Sequence, residues 1–452
     1  MEIYKPIIYR FFFTLFDNLL NLFFSYFKKH FPKMYYLFFK NTKMQKLKLK
    51  YIKFRDFNVT FDQVKKFNDI YFKNKHKFIN NKKNILYIDV SCLLRTATFG
   101  GIKRTVYELS KIFDSKKKDL KYKIIFFYFT KTYPHEFREV DFDYIEKKKL
   151  FNFNSKTFYP KYNSKFLFLD FNISGILQTK KLLIEMKKKL NLNYYFIVYD
   201  ILPFTNPEWF PVRNYKKIFF AWINFVLKYG FVLTISENVK KNIIYNFKKM
   251  CFPRKIQSFM LGGNFAKPSN KNCKNNKITF LMVGTLEPRK GHIDIIKSFE
   301  ILYDKYKDIE LIIIGNMGWK YDKIISTLEN SKLNGSVIKY YSNVSDKKLK
   351  EFYEYATIIL CASYDEGCGL PILEGLVNNK IVIARNIPVF KEIGKTSIYY
   401  FPNSDYIKIS KFLDKWIYLF KIKKNKKIKK HKFKLISWRE SFEQVKKIIY
   451  DN

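Results

Sequence analysis

The sequence predicts an α/β protein built from two doubly wound, parallel-sheet domains. Three observations carry this. From about residue 84 onward, short apolar runs alternate with helical stretches, the pattern of parallel βαβ folding. A polar segment, Lys267-Pro-Ser-Asn-Lys-Asn-Cys-Lys-Asn-Asn276, interrupts the alternation, and the same pattern then begins again. The 452 residues suffice for two cores, and a hydrophobic content of 47% supplies their interiors.

Taken in order, Ile85-Leu-Tyr-Ile-Asp-Val90 reads as a first buried strand, and Gly100-Gly101 opens a helix through about Phe113. Further strands are expected at Lys123–Thr130, Phe166–Asp170, Tyr194–Tyr199 and Phe231–Ile235, with 131–165 irregular. The second half places strands near 278–283, 310–315, 336–341, 357–361 and 380–384. The expected division is an extension at 1–83, a first domain at 84–266, a second at 277–436 and a terminal helix at 437–452. In open α/β sheets ligands bind outside the carboxyl ends of strands. The loops at 284–291, 315–319 and 362–370 follow strands directly and are expected to converge on one cleft edge.

The formal net charge is +47, from 86 Lys+Arg against 39 Asp+Glu. Such a balance suits nucleic acid, anionic lipid or a phosphorylated substrate. Residues 1–83 hold 19 basic and 5 acidic side chains, and residues 421–434 hold nine lysines and no acid. Lys, Asn, Ile, Phe and Tyr are abundant throughout, as codon bias towards A and T produces, so part of the charge is background and does not establish nucleic-acid binding. The five cysteines, Cys92, Cys251, Cys273, Cys361 and Cys368, are scattered without C-x-x-C spacing. That argues against a disulfide framework or a zinc site and favours a reducing compartment.

Between Ile7 and Lys29 the polar residues Arg10, Thr14, Asp17, Asn18, Asn21, Ser25 and Lys28 fall three or four apart, drawing a narrow stripe along an otherwise apolar helix. The charges in its middle favour lying in a membrane interface over crossing it. Met34-Tyr-Tyr-Leu-Phe-Phe39, flanked by Lys33 and Lys40, adds an aromatic face with basic edges suited to anionic headgroups. The alternative is that this helix packs on its own domain or on a second subunit.

The stretch richest in chemistry is Ser363-Tyr-Asp-Glu366-Gly-Cys-Gly-Leu-Pro-Ile-Leu-Glu374-Gly, which follows the apolar run Thr357-Ile-Ile-Leu-Cys361. Pro371 suits the first turn of a helix. Gly367, Cys368, Gly369 and Leu370 are then a loop whose free amides lead into a helix N-terminus, where phosphates and oriented hydroxyls bind. Glu366 in the loop and Glu374 in the first helical turn bracket one ligand as pure acceptors, which suits sugar hydroxyls.

This stretch resembles the glutamate–seven–glutamate motif of retaining glycosyltransferases of family 4, which have the GT-B fold. Val283-Gly-Thr-Leu-Glu-Pro-Arg289-Lys290-Gly-His292, Tyr199-Asp200-Ile-Leu-Pro203, Thr98-Phe-Gly-Gly101-Ile-Lys-Arg104 and Thr234-Ile-Ser236-Glu237 also match family segments, in the expected order. The resemblance implies two Rossmann-like domains facing a cleft, with the nucleotide-sugar donor on the C-terminal one. It implies that Lys290, with Arg289, holds the donor diphosphate, that Glu374 holds the ribose hydroxyls, and that Glu366 with the amides of Gly367 to Leu370, including Cys368 and Gly369, grips the transferred sugar. Thr285 stands where many members carry an arginine, so Arg289 shares the diphosphate contact. Tyr199 occupies a position that is often histidine.

Asn316 and the loop around Asn343–Ser345 would reach the base or ribose, and Gly100 and Gly101 would let backbone approach the phosphates. Asp200 either faces the acceptor hydroxyl or caps the turn that follows. Anomeric retention through a same-face, oxocarbenium-like path is implied. Similarity to bacterial enzymes of O-antigen and capsule assembly points to mannose, a lipid-linked acceptor and the inner face of the cell membrane.

No metal or other cofactor is expected, because cations and helix termini stabilise a leaving diphosphate. Asp141-Phe-Asp143 reads as a solvated loop, not a metal motif, and His292 as a residue packed at a helix start. The alternative from another class is a non-catalytic basic protein that binds nucleic acid or anionic membrane through its charge.

Overall fold

The computed structural model describes residues 63–74, 84–95, 100–130, 136–146, 157–211, 214–250, 255–263, 277–422 and 436–452. The polar stripe at 7–29, the cluster at 34–39, the linker at 267–276 and most of the lysine run lie outside them. Among the described residues no helix is long and apolar enough to cross a membrane.

The first sheet has seven strands in the order β3-β2-β1-β4-β5-β6-β7. They are β1 (Ile85–Asp89), β2 (Lys123–Phe129), β3 (Phe137–Glu139), β4 (Lys165–Phe168), β5 (Asn193–Val198), β6 (Gly230–Thr234) and β7 (Ile256–Ser258). All neighbours pair in parallel except β2 with β3. The second sheet has six strands, β10-β9-β8-β11-β12-β13, all parallel. They are β8 (Ile278–Val283), β9 (Ile309–Ile314), β10 (Ile338–Tyr341), β11 (Ile358–Cys361), β12 (Ile381–Arg385) and β13 (Tyr399–Phe401).

Their composition explains the layers. Helices cover both faces of a parallel sheet, so its strands read as continuous apolar runs, and β1, β9 and β11 are buried at every position. The order reverses between β1 and β4 in the first sheet and between β8 and β11 in the second. Ligand crevices open at such reversals.

The terminal helix Trp438–Asp451 begins with a capping box, Ser437 and Glu440 satisfying each other's backbone amides. It lies against the helix Gly101–Ser115 of the first domain. Phe442 meets Phe113 edge-on at 4.8 Å, Lys116 pairs with Glu443 at 3.2 Å, and Lys165 donates to the Ile449 carbonyl at 2.6 Å. Full burial of Phe442 is worth about 2–3 kcal/mol. One apolar cluster thus runs from the first sheet through this helix into the second domain.

Three strands depart from the sequence reading. The region expected to be irregular contains β3 and a short helix, Phe142–Glu146. The three-residue edge strands β7 and β13 were also not expected. All three are too short to show a period and form by pairing with a longer neighbour.

Candidate functional site

The loops after β8 and β11 meet at the switch point of the second sheet. After β8, Pro288–Lys290 form a 3-10 turn, and Gly291, at φ 72°, leads into the helix His292–Lys305. A Cβ on Gly291 would lie 2.2 Å from the Ala362 carbonyl oxygen, so the two loops touch backbone to backbone. The Tyr364 amide donates to the Arg289 carbonyl at 2.8 Å and fastens them further.

This contact brings Arg289, Lys290 and Glu366 together. Arg289 Nη1 donates to Glu366 Oε2 at 2.8 Å, Lys290 Nζ pairs with Glu366 Oε1, and Ser363 Oγ donates to the same oxygen at 2.8 Å. Arg289 Nε also bonds Glu287 at 2.9 Å. Burial pushes the Glu366 carboxyl up, but the Arg289 and Lys290 charges outweigh it and hold the group down at about 2. For Arg289, burial opposes the charge, yet Glu366, Glu287 and Asp200 together fix the guanidinium in its charged form. A small cavity adjoins the cluster, lined in part by Val283, Gly284, Lys290, His292, Ser363 and Glu366.

His292 is buried, and burial with the Lys290 and Arg289 charges lowers it to about 3, which keeps the ring neutral. It stands at the start of the helix His292–Lys305 and lines the cavity. Cys368 is 4% exposed, and burial drives its thiol far up, so it is not a thiolate nucleophile.

Leu370, read from sequence as a loop residue, is the first residue of the helix Leu370–Val377, which places Glu374 in the second turn. Gly369 precedes it at φ 105°, a conformation that glycine adopts freely. Glu374 is 5% exposed and does not line the Glu366 cavity. It accepts from the Tyr353 hydroxyl and faces Arg104 Nε at 3.9 Å. Arg104 belongs to the first domain and also donates to Asp346 at 2.8 Å. Burial raises the Glu374 carboxyl, with Arg104 and Tyr353 acting against it.

The glycine turn presses on the first domain. A Cβ on Gly367 would lie 1.9 Å from the Tyr199 carbonyl oxygen, and the Gly367 carbonyl accepts from Ser236 Oγ at 2.7 Å. Nearby, Glu392 accepts from the amides of Glu237 and Asn238 at 2.7 and 2.8 Å. Gly101 packs on Leu370, whereas a side chain at Gly100 would meet nothing within 4 Å.

Asp200 accepts from the Leu202 amide at 3.1 Å and so closes the turn after β5. Burial raises its carboxyl to about 6, against the pull of Arg289. Tyr199 is a core residue whose hydroxyl donates to the Leu169 carbonyl at 2.8 Å. Asn316 Oδ1 accepts from the Asn343 amide at 2.8 Å and joins the two loops expected near the base. Thr285 lines the neighbouring turn, facing Gly318. Asp141 and Asp143 are exposed. Among the described residues no group of His, Cys, Asp and Glu is placed to hold a metal ion.

Sequence reasoning gave no role to Ser363, or to Arg104, Tyr353 and Arg385, whose partners are supplied by other elements. A signal existed for Ser363 alone, three residues from Glu366 in the same turn.

This fold is GT-B, two such domains about a cleft. Residues 264–434 match the family model described as glycosyl transferases group 1. The chain is 31% identical over 267 residues to the serotype-specific mannosyltransferase WbdA of Escherichia coli, covering 55% of this chain and 32% of that protein. It is 29% identical over 203 residues to the O-antigen chain mannosyltransferase RfbU of Salmonella typhimurium, covering 44% and 54%. The chain thus spans about a third of the length of WbdA and about half that of RfbU. Among solved structures, sucrose-phosphate synthase from Thermosynechococcus elongatus superposes with a TM-score of 0.59 at 11% identity, over 82% of this chain and 99% of that one. Anabaena Alr3699/HepE in complex with UDP and glucose gives 0.56 at 11% identity, over 82% and 100%.

Proposed function

We propose that the protein is a retaining hexosyltransferase that moves mannose from a nucleotide-diphosphate sugar to a saccharide acceptor in surface-polysaccharide assembly. The observation that carries this reading is the convergence of Arg289 and Lys290 on Glu366 beside a cavity at the switch point. Two fixed cations suit a diphosphate, Arg as a fork and Lys as a point charge. As the diphosphate departs its negative charge grows, and cations placed there beforehand lower the barrier. Glu366 is ionised and offers acceptors for the hydroxyls of the transferred sugar. The amides entering the helix Leu370–Val377 add donors at the same edge. In this reading Glu374 serves the ribose, Asn316 the base side, and Asp200 the acceptor hydroxyl.

Mannose is favoured because the relatives named above are mannosyltransferases. One further relative, from Xenopus laevis and 25% identical, is named for GDP-Man, which makes GDP-mannose the first donor to try. A lipid-linked acceptor on the inner membrane face agrees with the apolar, basic N-terminal sequence.

The test is thermal stabilisation by a panel of GDP-, UDP- and ADP-sugars, on wild type, Lys290→Ala and Glu374→Ala. Selective stabilisation by one base, lost in both variants, supports the reading and names the donor class. A flat response, with nucleic acid stabilising instead, overturns it in favour of a charge-driven binding protein.

A further inference from the structure

Arg385 ends β12, and its side chain is fully buried. A buried guanidinium is costly unless its donors are used and its charge is balanced. Here the donors are spread over separate elements. Nε donates to the Ala362 carbonyl at 2.8 Å, at the start of the loop that carries Glu366. Nη2 donates to Asp294 Oδ2 at 2.7 Å, in the first turn of the helix that follows Lys290. Nη1 reaches the Ser404 carbonyl at 3.1 Å and Asn403 Oδ1 at 3.3 Å, after β13.

The guanidinium plane also lies 4.2 Å from the Tyr364 ring centroid, and the Tyr364 hydroxyl donates to the same Asp294 oxygen at 2.7 Å. One planar group therefore bonds the start of the Glu366 loop and the first turn of the helix that follows the Arg289–Lys290 turn. A side chain at Gly291 would strike the Ala362 carbonyl and approach Arg385 Nη2 to 3.2 Å, so there is no slack at this junction.

We infer that Arg385 is a positioning residue, a buried bracket that sets the spacing between the diphosphate-binding turn and the Glu366 loop. It touches no substrate itself; it acts by holding the Ala362 carbonyl and Asp294 at a fixed separation. A lysine there keeps the charge but cannot serve several directions from one plane. The effect on turnover rests on the glycosyltransferase reading above, whereas the bracket itself does not.

The test uses the 452-residue protein with Arg385→Lys, and Asp294→Asn as a second variant that removes one partner's charge while keeping its shape. Hydrogen–deuterium exchange is followed in peptides covering 284–291 and 362–369. The expected result is at least tenfold faster exchange in both loops together, with β9 unchanged. Unchanged loops in both variants, or faster exchange throughout the chain, overturns the bracket.

Turnover of GDP-mannose then separates positioning from simple support of the fold. Arg385→Lys is expected to lower kcat/KM at least tenfold in the wild-type background and less than twofold beside Glu366→Gln. Equal losses in both backgrounds argue for a fold role and against positioning, since independent effects add. If wild type turns over neither GDP-mannose nor another sugar nucleotide of the panel, the functional reading fails, and the exchange result still decides the bracket.

Discussion

Lys290 and Glu366, 76 positions apart in the chain, form an ion pair at the junction of two loops, with Arg289 closing the other carboxylate oxygen. The cations proposed to hold a diphosphate are thus already paired with the carboxylate proposed to hold the sugar. Donor binding in this arrangement is an exchange of anions, in which the diphosphate takes the cations and releases Glu366. Glu366→Gln is therefore expected to bind GDP several-fold more tightly than wild type, although its transfer is slowed to a measurable remnant. Lys290→Ala is expected to bind it at least tenfold more weakly, in line with about 1.5–3 kcal/mol for a charge-assisted bond. Titration calorimetry with GDP checks both signs, and weaker binding by Glu366→Gln sinks the exchange.

The same pair makes a statement about acid stability. A glutamate in the unfolded chain titrates near 4.3, and Glu366 is held at about 2. A depressed carboxylate contributes stability above the unfolded value, lost as pH falls towards the folded one. The contribution amounts to about 3 kcal/mol. Urea unfolding at pH 7, 4 and 2.5 should show the gap between wild type and Glu366→Gln closing over the lower part of that range. A gap that is constant with pH counts against the ion pair.

Asp200 carries the opposite shift, to about 6. At pH 7 it is mostly ionised, and below pH 6 it binds a proton. If its carboxylate orients the acceptor hydroxyl, kcat/KM falls about tenfold per pH unit below that point. The linked stability has the reverse sign, because a raised carboxyl pKa means that ionisation costs stability. Asp200→Asn should therefore gain stability relative to wild type at pH 7 and not at pH 4. A pH–rate profile with no acidic limb near 6 removes Asp200 from the chemistry and leaves it as the cap of the Leu202 turn.

What was legible in the sequence divides along a physical line. Arg289, Lys290 and Glu366 each stand in a loop directly after an apolar run, so strand ends alone placed them at one cleft edge. Their mutual pairing was not legible, because it depends on the backbone contact between Gly291 and Ala362. Glu374 shows the limit more clearly. Its spacing from Glu366 suggested a shared ligand, yet its partners are Tyr353 and Arg104, from another helix and the other domain. Arg385 was invisible for the same reason, since nothing local marks a buried arginine whose partners lie on three other segments.

Glu374 gives a further contrast. Truncating it removes the acceptor of the Tyr353 hydroxyl and the buried carboxylate that faces Arg104, at about 3–5 kcal/mol. Asp346, the other acid at Arg104, is half exposed. Asp346→Ala should cost no more than about 1 kcal/mol. Denaturant titration of Glu374→Ala and Asp346→Ala measures the difference, and equal losses contradict the burial of the first pair.

Gly367 is a point of close approach between the two domains at the site. Its φ is ordinary, so the demand for glycine there is one of space alone. A methyl group would fall 1.9 Å from the Tyr199 carbonyl oxygen, which is backbone and cannot swing aside. Gly367→Ala must therefore push the glycine turn away from the first domain and break the bond from Ser236. The expected loss is about 2–4 kcal/mol of stability. Gly100→Ala is the control, since its side chain meets open space, and its cost is confined to a poorer helix cap, under about 1 kcal/mol. Thermal unfolding of both variants, with and without GDP, separates the two sites. A Gly367→Ala protein as stable as Gly100→Ala would mean that the domains do not close on that turn in solution.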